Sequence, residues 1–340
     1  MDQLPTFGAS ARTAGDAPGV QAFTFGAPEE VLNRRDLLDL IQCYHNGRWY
    51  EPPIPRDGLA RAFKASPHHS SAIVLKRNLL VSSFIPSKLL SPRVFGAAVQ
   101  DYLVFGDCYF EERPNMLGEP MRLDHSLAKY TRRGLVDGAF YFVPGLRQET
   151  EFRRGSVIQI RQPDINQEIY GVPEYISALQ SALLNENATL FRRRYYLNGS
   201  HAGFILHATG EFDEGDVDNI REALKQSKGP GNFRNLFVHQ PGGKEGGIKL
   251  IPIAEVAAKD EFLGIKNTTR DDVLAAHRVP PQLLGIVPTS GSTFGDPRAA
   301  IDVFFELEIE PIQTVFLEVN ERLGRDAVAF KVREKAKAAA

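Results

Sequence analysis

Residues 301–323 repeat apolar side chains every three or four positions: Ile301, Phe305, Ile309, Ile312, Phe316, Val319 and Leu323. Such steps follow the roughly 100° per residue of an α-helix and lay one continuous stripe along it, which must be buried against a partner surface. Asp296 is placed as its N-cap, and Pro297 takes the first helical position, where a missing N–H costs nothing. Pro311 falls inside the stripe, where it removes a hydrogen bond and crowds the carbonyl of Leu307. The stripe keeps phase across the proline, so a kinked single helix is expected, with two shorter helices as the alternative. Upstream, residues 258–279 read as a second helix, stopped by Val279-Pro280-Pro281-Gln282-Leu283-Leu284-Gly285. Between the helices lies the loop Ile286-Val287-Pro288-Thr289-Ser290-Gly291-Ser292-Thr293-Phe294-Gly295, which has no Lys or Arg. A polar loop hung between two helices is a part presented by a scaffold rather than a catalytic centre.

The remaining chain supplies that scaffold. At 340 residues it exceeds what one simple core holds, so two or three substructures are expected. Residues 1–26, rich in Gly, Ala, Thr and Pro, read as a disordered tail. A short helix is expected at 36–41, then helices near 57–65 and 68–82, and another from Ser91-Pro92 to Phe105. Gly106 marks a change of period; strands follow at 108–113, 121–123, 139–143 and 156–161. Helices and strands are segregated, so the class is α+β with mostly antiparallel hairpins. Beyond Val172-Pro173 comes a helix over 174–197, roughly 36 Å long. A small β-α-β-β module follows, with strands at 203–208, 235–239 and 248–253 and a helix from Asp213.

Composition and motifs exclude several function classes. The formal net charge is −2, so the chain is no polycation built to grip nucleic acid throughout. Cys43 and Cys108 are the only cysteines, too few for a disulfide scaffold or a cysteine zinc site. No run approaches the roughly 18 apolar residues of a membrane span, and no signal peptide is visible. No Walker A loop, nucleophile elbow or HExxH occurs, and no cofactor or metal is expected. Gly242-Gly243-Lys244-Glu245-Gly246-Gly247 lies between strands and reads as a hairpin turn. His68 and His69 are adjacent and point apart on a helix, which is poor ligand geometry.

Three charge patterns remain. Lys259, Lys266 and Arg270 share one face of the helix before the loop; they face phosphates or form an ordinary solvated surface. Arg192, Arg193 and Arg194 fan around the end of the 174–197 helix, where one or two would pair with acids. Glu211, Asp213, Glu214, Asp216 and Asp218 crowd the start of the module's helix, which suits its dipole or offers a partner an acidic edge.

Taken in order, several stretches resemble the portal proteins of tailed phages, nearest the PBSX-type family of contractile-tailed temperate phages. They include Trp49-Tyr50-Glu51-Pro52-Pro53, Asp57-Gly58-Leu59-Ala60 and His68-His69-Ser70-Ser71. Lys76-Arg77-Asn78 and Phe84-Ile85-Pro86 continue the series. Asp101 to Asp107 resembles the family's "GNAY" turn, from which Asp107 and Cys108 depart. Ala128 to Gly134, Gln162 to Glu168 and Tyr170 to Tyr175 are the most specific stretches. Arg278 to Gly285 is similar to portals generally.

The resemblance implies a non-enzymatic ring, usually of about twelve copies, at one capsid vertex, through which double-stranded DNA enters and leaves. It implies a wing over residues 27–172, stem helices at 173–198 and 258–285, and a clip at 199–257. A tunnel loop would occupy 286–296, the kinked wing helix 297–323, and a short crown remnant 324–340. Lys259, Lys266 and Arg270 become candidates to face the DNA channel, and Thr289, Ser290, Ser292, Thr293 and Phe294 the tunnel-loop contacts. Asp213, Glu214, Asp216, Lys225 and Lys228 become candidates for docking terminase and a head-completion protein. Major capsid and scaffold proteins are the other implied partners, in a virion assembled in the host cytoplasm. DNA must slide, and a loop without cations does not add the salt-dependent affinity that would stall it. Another virion or tail-like ring, and an enzyme of nucleic-acid metabolism, are the competing readings.

Overall fold

Proline opens the helices of the first half. α1 (Arg56–Ala62) follows Pro55, while Pro67 and Pro92 start α2 (Pro67–Ser83) and α3 (Pro92–Phe105). Ser91 caps α3 as its position predicts, its Oγ accepting the Val94 N–H at 3.3 Å. The computed structural model describes residues 43–145, 148–197, 204–208, 248–252, 258–286 and 296–333. The tail, the 36–41 helix, the helix from Asp213, the strand at 235–239 and the loop 287–295 lie outside the described residues.

Gly106 ends α3 in the left-handed region at φ 78°, and the chain turns at once into a strand. A Cβ there would come within 2.8 Å of the backbone of Gly171, Val172 and Pro173, so only glycine permits this crossing. The strand is β2 (Asp107–Pro114), at the centre of an antiparallel sheet between β3 (Pro120–Ser126) and β7 (Val157–Arg161). Tyr109 stands opposite Ser126 on one side and Gln159 on the other. A second antiparallel sheet, not fully anticipated, joins β4 (Thr131–Arg133), β5 (Phe140–Phe142) and β6 (Thr150–Glu151). A short pairing of β1 (Phe84–Ile85) with β10 (Ala329–Phe330) ties the chain's later part to the end of α2. All the described strand pairs are antiparallel, and the class is α+β as expected.

The striped helix lies on the α2/α3 layer. Phe95 stacks on Phe84 at 4.2 Å between ring centroids, and Phe316 meets the edges of Phe95 and Tyr102 at 5.2 Å each. Phe305, Ile309, Phe316 and Val319 of the stripe are buried. At the expected kink the structure has a π turn, Phe305–Ile309, between α6 (Pro297–Phe304) and α7 (Glu310–Leu323). The Glu310 N–H reaches back five residues to the Phe305 carbonyl. Widening the turn just before Pro311 accommodates the proline and keeps the stripe facing the core on both sides.

The helix expected over 174–197 begins instead as a 3-10 turn, Glu174–Ala178, and continues as α4 (Leu179–Leu197). Tyr175 pins that turn by donating from its hydroxyl to the Val104 carbonyl at 2.6 Å. α5 (Ala258–Ala276) packs along α4 and the 3-10 turn before it, its Val273 meeting Ala182 and Ala178. Buried Asn185 locks their register, donating to Thr269 Oγ1 at 2.8 Å and to the Lys266 carbonyl at 3.3 Å. Of the small module, β8 (Phe204–Ala208) and β9 (Ile248–Pro252) form one antiparallel pair.

Candidate functional site

The helical pair joins the α2/α3 layer at a cluster of ionisable groups that no local motif announced, with Lys76 and Glu308 buried and Arg278 and Glu174 half exposed. α5 was expected to run to Val279; it stops at Ala276 with a two-bond cap. Val279 N–H bonds the Leu274 carbonyl at 3.0 Å, and Arg278 N–H bonds that of Ala275 at 2.9 Å. The left-handed position of this cap, normally glycine, is Arg278 at φ 55°, the one non-glycine residue with positive φ among the described residues. That conformation costs roughly 1–2 kcal/mol. What it achieves is aim: Arg278 Nε donates to Glu308 Oε2 at 2.6 Å, and its Nη2 pairs with Glu174.

Glu308 belongs to the π turn and is the hub. Its other oxygen pairs with Lys76 of α2, and both side chains are almost wholly buried. Burial works against the Glu308 carboxylate, but the hydrogen bonds from Arg278 and Lys76 prevail and hold it below the usual carboxylate range. The Lys76 amine is pushed down, because the desolvation of a nearly enclosed ammonium exceeds what one shared carboxylate returns. The cluster thus binds α2, the π turn, the end of α5 and the start of the helical pair.

Beside it, His69 Nδ1 and His277 Nε2 lie 2.9 Å apart, so one ring donates to the other. Tyr175 flanks both rings, with centroids 4.4 Å from His69 and 5.4 Å from His277. Burial pushes His69 down to about 4. His277 falls to about 2, through burial, then its neighbour His69 and the cations Lys76 and Arg278. Both are therefore neutral at ordinary pH. His69 Nε2 is buried without a partner among the described residues. No group of three potential metal ligands gathers among the described residues, and the two rings pack against Tyr175.

A second buried pair sits at the departure from the "GNAY" pattern. Arg56 Nη2 donates to Asp107 Oδ2 at 2.7 Å, with both side chains essentially inaccessible. Arg56 also donates to the Ala128 and Thr131 carbonyls and lies 4.9 Å from the centre of the Tyr170 ring. Burial raises the Asp107 carboxyl; Arg56, Gln159 Nε2 at 2.8 Å and the Gly171 N–H at 3.1 Å oppose it. Tyr170 accepts from the Arg133 N–H and donates to the Tyr50 carbonyl. The stretches 49–53, 101–107, 128–134 and 170–175 thus converge on one ion pair.

Of the proposed channel cations, Lys266 and Arg270 lie near His68, whose pKa is lowered by burial and then by Arg270 and Lys266. Arg270 pairs with Asp271 at 2.8 Å, so its charge is partly compensated. The Lys259 side chain lies outside the described residues. Arg192 and Arg193 are exposed and make no ion pair among the described residues, and the side chain of Arg194 lies outside those residues. Asp296 does cap α6, accepting the Arg298 N–H at 2.8 Å. Thr289, Ser290, Ser292, Thr293 and Phe294, and Asp213, Glu214, Asp216, Lys225 and Lys228, lie outside the described residues. No described helix is long and apolar enough to cross a membrane.

Comparison with known proteins places these features in a family. The phage portal protein family model matches residues 86–336. The chain is 49% identical over 315 residues to a probable portal protein of Escherichia phage P2, covering 92% of each chain. It resembles the structure of an HK97 family phage portal protein from Corynebacterium diphtheriae, with TM-score 0.57, 15% identity, and 80% of this chain and 94% of that one covered. It also resembles a chain in the neck of a native gene transfer agent particle computed with C12 symmetry, with TM-score 0.58, 16% identity, and 84% and 85% covered. Structural ring components rather than enzymes are what the portal name denotes. The chain belongs to the phage portal protein family.

Proposed function

We infer that this chain forms a ring, of about twelve copies, at one capsid vertex, and that double-stranded DNA passes through it during packaging and ejection. The family match over residues 86–336, together with a neighbour of the same fold in a twelve-fold neck, carries the reading. Residues 27–172 with 297–323 serve as wing, 173–198 and 258–285 as stem, 199–257 as clip, 286–296 as tunnel loop and 324–340 as crown remnant. α4 exposes Leu184 and Leu190, which suits a helix covered by a neighbouring copy. In such a ring Lys259, Lys266 and Arg270 repeat as bands of positive charge that meet phosphates without reading bases. The clip docks the terminase large subunit, which supplies the ATP hydrolysis, and later a head-completion protein. Major capsid and scaffold proteins surround the ring, which assembles in the bacterial cytoplasm.

End-on electron microscopy of the purified chain tests the ring: closed particles are expected, and a monomer at every concentration would refute it. Replacing Lys259, Lys266 and Arg270 together by Gln should leave rings intact and change the amount of DNA packaged. Unaltered packaging would remove these side chains from the channel.

A further inference from the structure

α2 and the long helix both have a second side that no other described element covers. α2 turns Lys76, Leu80 and Ser83 toward the long helix, where Lys76 meets Glu308 and Ser83 Oγ accepts from Gln313 Nε2 at 2.9 Å. The opposite side of α2, with the outer side of α3, forms an open groove of about 540 Å3. Val81, Gly96 and Ala97 line its apolar part, and Arg77 and Arg93 are its only charged residues. A Cβ on Gly96 would meet Val81 Cγ2 at 3.2 Å, so the two helices approach closely there. Arg77 donates to Gln100 Oε1 at 3.0 Å, and the Gln100 amide nitrogen has no acceptor among the described residues. Arg93 makes no ion pair among the described residues.

The long helix presents the complement. Val303, Leu307, Glu310, Thr314, Leu317 and Glu321 recur in steps of three and four, opposite the buried stripe, and all six are exposed. Val303 is 57% and Leu307 70% exposed, more than an isolated helix face in a finished core would leave. Glu310 and Glu321 make no ion pair among the described residues. The result is an apolar ridge carrying acids, on one side of the α2/α3 layer. The apolar groove carrying arginines lies on the other side.

A ridge and a groove of opposite charge on opposite faces of one molecule form a heterologous pair, the arrangement that gives a ring when the rotation between copies closes. We propose that the 303–321 ridge of one copy docks in the α2/α3 groove of the next, its glutamates meeting Arg77 and Arg93. The proposal rests on the ring reading above and assigns the surfaces that build the ring.

A charge swap tests it on the full chain. Arg77→Glu/Arg93→Glu and Glu310→Arg/Glu321→Arg should each lower the ring fraction at least tenfold, measured by mass photometry where the wild type is fully assembled. Each variant alone sets like charges together; an equal mixture offers a matched contact at every interface if copies alternate. Mixing should therefore restore rings containing both variants. Ala97→Trp, which fills the groove without changing charge, should also lose rings while keeping the wild-type circular dichroism and monomer melting curve. Wild-type rings with both swapped variants still assembling, or with no rescue on mixing, overturn the docking assignment and leave the ring reading standing. So does a groove variant that keeps rings but loses another virion protein. A wild-type chain that never forms rings overturns the ring reading and this proposal with it.

Discussion

Replacing Glu308 by Gln removes the carboxylate that Lys76 touches, while Arg278 keeps Glu174. The cost therefore falls mainly on Lys76, which is 4% exposed. Removing one partner of a buried ion pair costs about 3–5 kcal/mol, because the remaining charge is desolvated without compensation. A ceiling exists, since the amine can shed its proton. Neutralising a lysine of ordinary pKa at pH 7 costs about 5 kcal/mol. The expected loss at pH 7 is thus about 3–5 kcal/mol. The pH dependence is a second signature. Burial already lowers the Lys76 pKa, and losing Glu308 lowers it further. An amine whose folded pKa lies below its unfolded one destabilises the fold at low pH, and that loss disappears as pH rises toward the unfolded value. The deficit should therefore shrink between pH 7 and about 9.5. Urea unfolding followed by circular dichroism, at one fixed protomer concentration, reads both quantities. Adding Lys76→Met to the Glu308→Gln background should recover most of the loss, since the stranded charge is gone. A deficit under about 1 kcal/mol at pH 7, or one unchanged at about pH 9.5, would refute the hub.

The neighbouring histidines make the fold acid-sensitive: with folded values near 4 and 2 they bind protons only when unfolded, so stability is lost as pH falls below about 6.5. By pH 4 the loss should be about 3 kcal/mol per histidine, and unfolding curves of His277→Leu should show a shallower decline than wild type. Asp107→Asn strands Arg56 and should cost about 3–5 kcal/mol, with Arg56→Met recovering part of it in a double-mutant cycle; an additive pair would contradict the buried ion pair. Arg278→Ala and Arg278→Gly lose the same ion pairs, but only alanine keeps the left-handed strain. The glycine variant should therefore be the more stable by about 1 kcal/mol in urea melts.

The long helix was legible because its signal is local and periodic. Seven apolar residues at helical spacing, an aspartate cap and a proline at the first position each act within one turn, and all appear in the structure. The strands at 131–133, 150–151 and 329–330 were not. Each is only two or three residues long and is defined by a partner strand rather than by its own alternation. The π turn escaped because a proline announces that the helix must adjust, without saying whether by a bend or a wider turn. The ionic clusters were hidden for a different reason. Lys76 and Glu308 are 232 positions apart, and Arg56 and Asp107 are 51 apart, while a charged residue in sequence reads as surface until its burial is known.

That concealment bears on what the junction does. An apolar contact between α2 and the long helix could slide by a turn at little cost, because leucine fits against leucine in many registers. A carboxylate held by Lys76 on one side and Arg278 on the other has one position, and displacing it by one residue would strand buried charges. Arg278 also terminates α5, and Glu174 begins the chain's return into α4, so the same contacts fix both helices of the pair. Such a joint transmits displacement rather than absorbing it: moving the π turn must move the end of α5. Since α6 runs from Pro297 straight into the π turn, a displacement at its start reaches the helical pair through Glu308. Rings of the Glu308→Gln variant should accordingly assemble yet show wider variation in the angle between the helical pair and the α2/α3 layer in single-particle classes. A variant ring as uniform as the wild type would mean that packing around Phe305 and Ile309 fixes the joint instead.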